Sequence, residues 1–304
     1  NRNTVGAKAV VAPTGPAGLA LLHERFGRRA WSGLLAPAIE IAREGPVVDW
    51  HTTLIVATAC ADLAKDPGAR ARFLPGGGPP VSAGSTAANP VTRLPMPVLA
   101  RSLGAIASEG AGALYRGPLA RAIAEDVRAM GGYVTEADLQ CVQPRELAPL
   151  EIAYRDRTIH VLPELNGGPT LAVAFAELAR QGRSGGSVPG GAEFVGYARA
   201  MQAAWKHRFA VMGDAGERTA PTSTTHLAVV DRDGNVVTLT QTLLSLFGSR
   251  IVLPQTGILM NNGINWFDPR PGGPNSLAPG RRGLANYVPA IMTGGDEAIG
   301  IGGC

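Results

Sequence analysis

Apolar residues recur at every third or fourth position through most of the first two-thirds of the chain, the spacing typical of amphipathic helices. The clearest run comprises Trp31, Leu34, Leu35, Ala38, Ile39 and Ala42, and Gly45 follows it. Helices are predicted over 17–26, 31–44, 50–65, 96–109, 117–130, 167–178 and 192–212, with a short helix capped by Thr135 and Asp138. Two strands are predicted at 147–154 and 158–162.

The pattern changes after residue 222, where β-branched residues become dense. Thr224–Asp231 and Val236–Leu243 read as two strands joined by a turn at 231–235 that contains Asp233, Gly234 and Asn235, which predicts a β-hairpin. Shorter strands are predicted near 250–253, 257–261, 287–292 and 298–301. Helices first and strands later favour a layered α+β architecture over repeated βαβ units.

Composition supports a folded chain with a core of small aliphatic residues. The 304 residues are 45% hydrophobic and 17% charged, which excludes intrinsic disorder. Aromatic residues make up only 5%, whereas there are 40 glycines and 24 prolines, so many tight loops are expected.

The charge distribution argues against a nucleic-acid partner. The formal net charge is +4, but the 28 basic residues, of which only Lys8, Lys65 and Lys206 are lysines, are spread along the whole chain. A phosphate-binding surface would need them clustered with aromatic residues between them. The chain also lacks an apolar run of eighteen residues, so no membrane span is predicted.

Neither a metal nor an organic cofactor is predicted. The acidic turn at Asp231 resembles the start of a calcium loop, but Val236 stands where that loop needs glycine and Thr242 where it needs a bidentate glutamate. The five histidines are scattered, without an HxxxH pair or a nearby cysteine, so a zinc site has no support.

A series of short motifs carries the functional information. Upstream stand Gly15-Pro16-Ala17-Gly18-Leu19, Pro37-Ala38-Ile39, Gly167-Gly168 and Gly213-Asp214. Downstream stand Thr224-Thr225-His226, Thr240-Gln241-Thr242, Phe247-Gly248-Ser249, Met260-Asn261-Asn262-Gly263, Trp266-Phe267-Asp268-Pro269, Ala278-Pro279-Gly280 and Pro289-Ala290-Ile291. In this order and spacing the chain resembles the γ-glutamyltranspeptidase family, and within it the γ-glutamyltransferase-like branch that includes cephalosporin acylase-type proteins.

The resemblance implies an α+β fold, the four-layer αββα sandwich of the N-terminal-nucleophile hydrolases. It also implies a precursor that cuts itself between Ser223 and Thr224, so that 1–223 is part of a large subunit and 224–304 part of a small one, together one domain. Both parts are expected to lack a terminal segment relative to the family.

The same resemblance assigns the catalytic positions. Thr224 matches the nucleophile, and its freed α-amine would act as the base, since such an amine has a pKa of about 7.7–8.0. Thr242 matches the threonine that hydrogen-bonds the nucleophile. Gly302 and Gly303 match the pair whose backbone N–H groups form the oxyanion hole.

Five positions depart from the glutathione-processing members. Leu244 replaces an asparagine, Gly263 and Trp266 replace polar or acidic residues, and Ala285-Asn286 replaces a serine pair. In those members the polar groups bind the α-amino and α-carboxylate groups of a γ-glutamyl donor. Because each lost charge-assisted hydrogen bond is worth about 1.5–3 kcal/mol, altered donor specificity is expected.

The function expected from the resemblance is hydrolysis of γ-glutamyl, glutathione-like amides through an acyl-enzyme, favoured over transpeptidation. The predicted partner is a small-molecule amide, and the predicted subunits both come from one precursor. Two alternatives stay open: an acylase for glutaryl or cephalosporin-type amides, and an unprocessed, non-catalytic family member.

Overall fold

The computed structural model describes residues 4–82, 91–182, 188–212 and 223–303, which form two compact units. Unit 1 comprises Asn1–Arg145 and Leu243–Asn265, and unit 2 comprises Glu146–Thr242 and Trp266–Cys304. Unit 1 contains the helices α1 Gly15–Phe26, α2 Trp31–Glu44, α3 Trp50–Leu63, α4 Pro67–Phe73, α5 Pro97–Glu109, α6 Pro118–Ala129 and α7 Glu136–Gln140.

Side-chain caps fix where several of these helices begin. Thr135 and Asp138 form the predicted capping box at α7, in which each side-chain oxygen accepts a hydrogen bond from the other residue's backbone N–H. Asp49 accepts from the Thr52 amide at α3. Asp66 does the same for Ala69 at α4, a helix that the hydrophobic pattern did not predict.

Two buried clusters form the core of unit 1. One surrounds Ile123, Leu139, Leu253 and Met260, and the other surrounds Leu63 and its neighbours. The strands predicted at 250–253 and 257–261 are wrong: the structure has one isolated bridge there, Val252 to Leu259. Tight turns bring these segments together, so their apolar residues reflect burial in a packed loop.

Unit 2 is built on an antiparallel sheet whose strands lie side by side in the order Leu150–Tyr154, Arg157–Val161, Ala290–Gly294 and Glu297–Ile301. Its strands are β1 Leu150–Tyr154, β2 Arg157–Val161, β5 Ala290–Gly294 and β6 Glu297–Ile301; the hairpin strands β3 Ser223–Val230 and β4 Val236–Leu244 form a separate ribbon. The helices are α8 Gly168–Gln181 and α9 Gly191–His207, followed by a π turn at Arg208–Met212. The predicted helix over 192–212 is therefore an α-helix to His207 and a π-helix over its last five residues.

Apolar residues pack helix α8 on the sheet of unit 2, and a small residue lets the ribbon pack on it. Leu171 and Phe175 of α8 pack on the sheet residues Ile152, Ile159 and their neighbours. The ribbon packs on the sheet at β6. A Cβ at Gly300 would lie 2.9 Å from Thr238 Cγ2 and 3.2 Å from Ala228 Cβ, so this approach requires glycine.

None of the helices in the described ranges is both long and apolar enough to cross a membrane.

Candidate active site

The β3–β4 hairpin positions the predicted nucleophile, and its turn is held by one carboxylate. Asp231 Oδ1 accepts the amides of Asp233 and Asn235, each at 2.9 Å, and Oδ2 accepts from Asn235 Nδ2 at 2.8 Å. This is the predicted hairpin turn.

Thr224 and Thr242 meet across the ribbon. Their Oγ1 atoms lie 3.4 Å apart and form a hydrogen bond in a partly buried setting. Thr224 is the second residue of β3, so the peptide bond that would be cut lies at the first step of the strand. The structure thus places the two predicted hydroxyl groups in contact.

The segment after β6 approaches the face of the ribbon that carries His226. Gly302 directly follows β6, and a Cβ there would lie 1.9 Å from Cε1 of His226, the residue two positions after Thr224. Gly303 is open: a Cβ would meet nothing within 4 Å. The glycine pair therefore lies beside the strand that carries the predicted nucleophile, with one glycine closely packed and the other accessible.

Leu244 and Gly263, two of the predicted substrate positions, belong to unit 1. Leu244 is buried and has φ +80°, a left-handed conformation that leucine rarely adopts. The Gly263 amide donates to Asn261 Oδ1 at 2.9 Å. Asn262, which precedes it, is fully buried and bonds Ser245 through both ends of its amide. The Asn-Asn motif thus holds the backbone on both sides of these positions.

Trp266, Ala285 and Asn286, the remaining predicted substrate positions, belong to unit 2. Trp266 packs edge to face against Tyr287 at 6.2 Å, and its Nε1 is buried without a hydrogen-bond partner among the described residues. Burial raises the pKa of the Tyr287 phenol, which keeps it neutral. Asn286 is exposed, whereas Ala285 is buried and its amide donates to Leu165 O at 2.9 Å.

Arg208, which sequence reasoning did not single out, fixes the backbone at Ala285. Its guanidinium is buried at the start of the π turn and donates to Ala285 O at 2.9 Å and Thr170 Oγ1 at 3.1 Å. Longer bonds reach Asn166 O at 3.3 Å and Leu284 O at 3.5 Å. Burial lowers the pKa of this guanidinium. Arg208 is the first residue of the π turn, which helical periodicity does not reveal.

A mostly apolar cavity of about 160 Å³ lies beside this arginine within unit 2. Leu171, Met201, Trp205 and Val288 supply most of its wall, and Asn286 lies at one side. Such a lining suits an apolar group rather than an ion.

The predicted motif Gly213-Asp214 lies outside the described residues. Within the described ranges, the side chains of His, Cys, Asp and Glu do not form a group of three that could hold a metal ion.

Comparison with known sequences matches nearly all of the chain to one family. The pattern of the family described as Gamma-glutamyltranspeptidase matches residues 1–221 and 192–303. Acylase ACY 1 proenzyme of Pseudomonas sp. strain V22 is 34% identical over 95% of this chain and 57% of its own length. Glutathione hydrolase proenzyme of Pseudomonas sp. strain A14 is 28% identical over 96% of this chain and 58% of its own.

Solved structures show the same fold. The cephalosporin acylase from Bacillus halodurans superposes with a TM-score of 0.82 at 24% identity, covering 98% of this chain and 60% of that one. The gamma-glutamyltranspeptidase from Pseudomonas nitroreducens gives a TM-score of 0.59 at 25% identity, over 70% of this chain and 61% of that one. These likenesses confirm the predicted α+β N-terminal-nucleophile hydrolase fold, and the chain spans less than two thirds of the length of each relative.

Proposed function

The chain belongs to the γ-glutamyltranspeptidase family, and from that premise we propose that the protein is a self-processing N-terminal threonine amidohydrolase. Its donors would be γ-glutamyl, glutathione-like amides, and hydrolysis would be favoured over transfer to an acceptor amine. The observation that carries the proposal is the 3.4 Å hydrogen bond between the Thr224 and Thr242 hydroxyls, formed where the Gly302 end of β6 meets the ribbon.

The first proposed step is self-cleavage. The Thr224 hydroxyl attacks the carbonyl carbon of Ser223, and the Thr224 nitrogen leaves with a proton, which converts the peptide bond into an ester. Water then hydrolyses the ester and returns the hydroxyl. The products are a large-subunit part ending at Ser223 and a small-subunit part, 224–304, that begins with a free α-amine.

Turnover of an amide would use that amine as the base. It takes the Thr224 hydroxyl proton as Oγ1 attacks the donor carbonyl, and it returns the proton to the departing amine. Thr242 fixes the direction of the Thr224 hydroxyl. The Gly302 and Gly303 N–H groups would stabilise the oxyanion, an interaction worth about 3–4 kcal/mol. Water then attacks the ester carbonyl: the amine takes a proton from the water and gives it to Thr224 Oγ1 as the carbon–Oγ1 bond breaks and the acid leaves.

The decisive experiment combines intact mass with hydrolysis of a γ-glutamyl anilide. The purified protein should give two fragments, the smaller beginning at Thr224. Thr224→Ala should remain uncleaved and inactive, whereas Thr224→Ser, which keeps the hydroxyl, should retain both reactions. Thr225→Ala is the matched control, because Thr225 is the exposed neighbour on the opposite strand face.

Two results would contradict the proposal. Hydrolysis that survives in Thr224→Ala would show that the reaction occurs elsewhere. A chain that stays uncleaved through prolonged incubation would favour the non-catalytic alternative, in which the fold serves binding alone.

A second candidate function is an acylase for glutaryl or cephalosporin-type amides. The apolar side chains of Leu244 and Trp266 favour it, because neither can bond the α-amino group that distinguishes a glutamyl from a glutaryl donor. The similarity to Acylase ACY 1 proenzyme points the same way. Comparing kcat/KM for γ-glutamyl and glutaryl anilides with the same leaving group separates the two candidates.

A further inference from the structure

His226 connects the strand of the predicted nucleophile to the glycine pair. It lies two residues after Thr224 on β3, and alternate residues of a strand share a face. Its Nδ1 hydrogen-bonds Thr240 Oγ1 at 2.9 Å, as Thr224 bonds Thr242 at the next step of the ribbon. Two side-chain pairs therefore cross the ribbon on one face.

The imidazole also contacts Gly302. A Cβ there would lie 1.9 Å from Cε1, 2.2 Å from Nδ1 and 2.3 Å from Nε2 of His226, so three ring atoms occupy the space of a side chain at 302. Even alanine at 302 would require the ring or the strand to move. The histidine ring thus takes the place that a side chain at 302 would fill, and it supports the Gly302 backbone directly.

The second ring nitrogen is unusual. Nε2 of His226 is buried and has no hydrogen-bond partner among the described residues. Buried polar atoms are nearly always paired, so an unpaired one needs an explanation. Here the Thr240 bond on one side and the Gly302 contact on the other hold the ring despite the unpaired nitrogen.

We propose that His226 is a positioning residue for the amide hydrolysis: oriented by Thr240, it holds the Gly302 backbone at the place where the oxyanion forms. This inference rests on the proposed function, since Gly302 matters to the reaction only if its N–H meets the oxyanion. His226 acts through Gly302 and takes no proton in the reaction. The proposed order of support is Thr240, then His226, then Gly302.

The test is a double-mutant cycle on turnover. His226→Ala should lower kcat about tenfold or more with KM within about twofold, because oxyanion support acts mainly in the transition state. Thr240→Val, which keeps the shape but removes the hydroxyl, should lower kcat less. The double variant should be no worse than His226→Ala, because Thr240 acts only through the ring. Self-cleavage is measured in each variant as the control, and normal cleavage shows that the Thr224 chemistry remains intact.

His160 provides a matched control in the same unit. Its Nε2 bonds Thr293 Oγ1 at 3.0 Å, also in a partly buried pair on neighbouring strands. His160→Ala and Thr293→Val should leave kcat unchanged. A kcat for His226→Ala equal to that of the unsubstituted protein would overturn the proposal. So would a double variant whose loss of kcat equals the product of the losses in His226→Ala and Thr240→Val.

Hydrogen exchange tests the positioning independently of activity. Amides of peptides covering 297–303 should exchange faster in His226→Ala and in Thr240→Val, but not in the His160 control. Unchanged exchange there would refute the proposal even in an active enzyme. Faster exchange in a protein that shows no Thr224-dependent hydrolysis would support the contact while rejecting the proposed function, so the two failures are distinct.

Discussion

Replacing Arg208 by methionine tests whether a buried cation organises the segment that carries Ala285 and Asn286. Methionine keeps much of the side-chain length and apolar stem but removes every donor. The guanidinium now bonds four acceptors, all neutral oxygens, two of them at 3.1 Å or less. It also lies 5.7 Å from the Trp205 ring.

The sign of the effect depends on two opposing contributions. The two short charge-assisted bonds contribute about 1.5–3 kcal/mol each, and their loss would leave buried oxygens unpaired. Removing the charge also removes its desolvation penalty, which amounts to several kcal/mol for a buried ion. Because the value of about 1.5–3 kcal/mol for each bond to a charged group is already a net value that includes desolvation, the loss of the two short bonds should destabilise unit 2 by about 3–5 kcal/mol in Arg208→Met.

The stability of Arg208→Lys should lie between that of the unsubstituted protein and that of Arg208→Met. A lysine keeps the charge but presents its donors from one atom, so it cannot span acceptors on both sides as the planar guanidinium does. A loss of about 1–3 kcal/mol is expected. Arg199→Met is the matched control, because Arg199 is exposed on α9, the helix that precedes Arg208, and should change stability by less than about 0.5 kcal/mol.

Urea unfolding followed by tryptophan fluorescence measures the effect, since Trp205 contacts the substituted position. Hydrogen exchange of peptides covering 284–288 localises it. In the active protein, a loosened Ala285–Asn286 segment should raise KM more than it lowers kcat. The reasoning is refuted if Arg208→Met unfolds within about 1 kcal/mol of the unsubstituted protein, because the desolvation term would then cancel the hydrogen bonds.

Three further substitutions have defined outcomes. Thr242→Val should lower kcat for anilide hydrolysis about tenfold or more, while Thr242→Ser should retain most of it. A kcat for Thr242→Val equal to that of the unsubstituted protein would exclude a role for the hydroxyl. Gly302→Ala should lose activity because its Cβ would overlap His226, with partial recovery in the double variant with His226→Ala; an active single variant contradicts the contact. Burial raises the pKa of Tyr115 to about 12, above its unfolded value, so its contribution to stability is complete below pH 10 and is lost as pH rises through 12. Tyr115→Phe should therefore cost about 1–2 kcal/mol at pH 8, where the Ala17 amide loses its acceptor, and less at pH 11 in urea unfolding; a cost that does not fall with pH would reject this account.

The sequence predicted those parts of the fold that depend on local rules. Helical periodicity located α1, α2, α5 and α6 to within about two residues, and the Thr135 capping box marked the start of α7. The acidic turn and the flanking β-branched runs predicted the β3–β4 hairpin. These features succeed because neighbouring residues alone decide them.

Contacts between distant segments were not predictable in this way. The approach of Gly302 to His226 joins the end of β6 to β3, and a glycine pair alone is compatible with an ordinary turn. Arg208 looks like an exposed cation at the end of an amphipathic helix until the π turn redirects it. The apolar run near residue 252 resembled a strand because burial in a packed loop selects the same residue types.

The segment from Leu244 to Gly263 combines an unusual backbone conformation with changed side chains. Leu244 has a φ of +80°, a conformation that an asparagine adopts at lower cost, so the leucine makes this backbone turn more strained than an asparagine would. Asn261 and Asn262 match the family's asparagine pair, and the side chains of both bond the backbone in a partly or fully buried setting. Gly263, the next residue, has no side chain to offer a ligand. The polar side chains of this segment therefore hold the backbone, and the comparison of γ-glutamyl and glutaryl anilides tests which donor Leu244 and Gly263 admit.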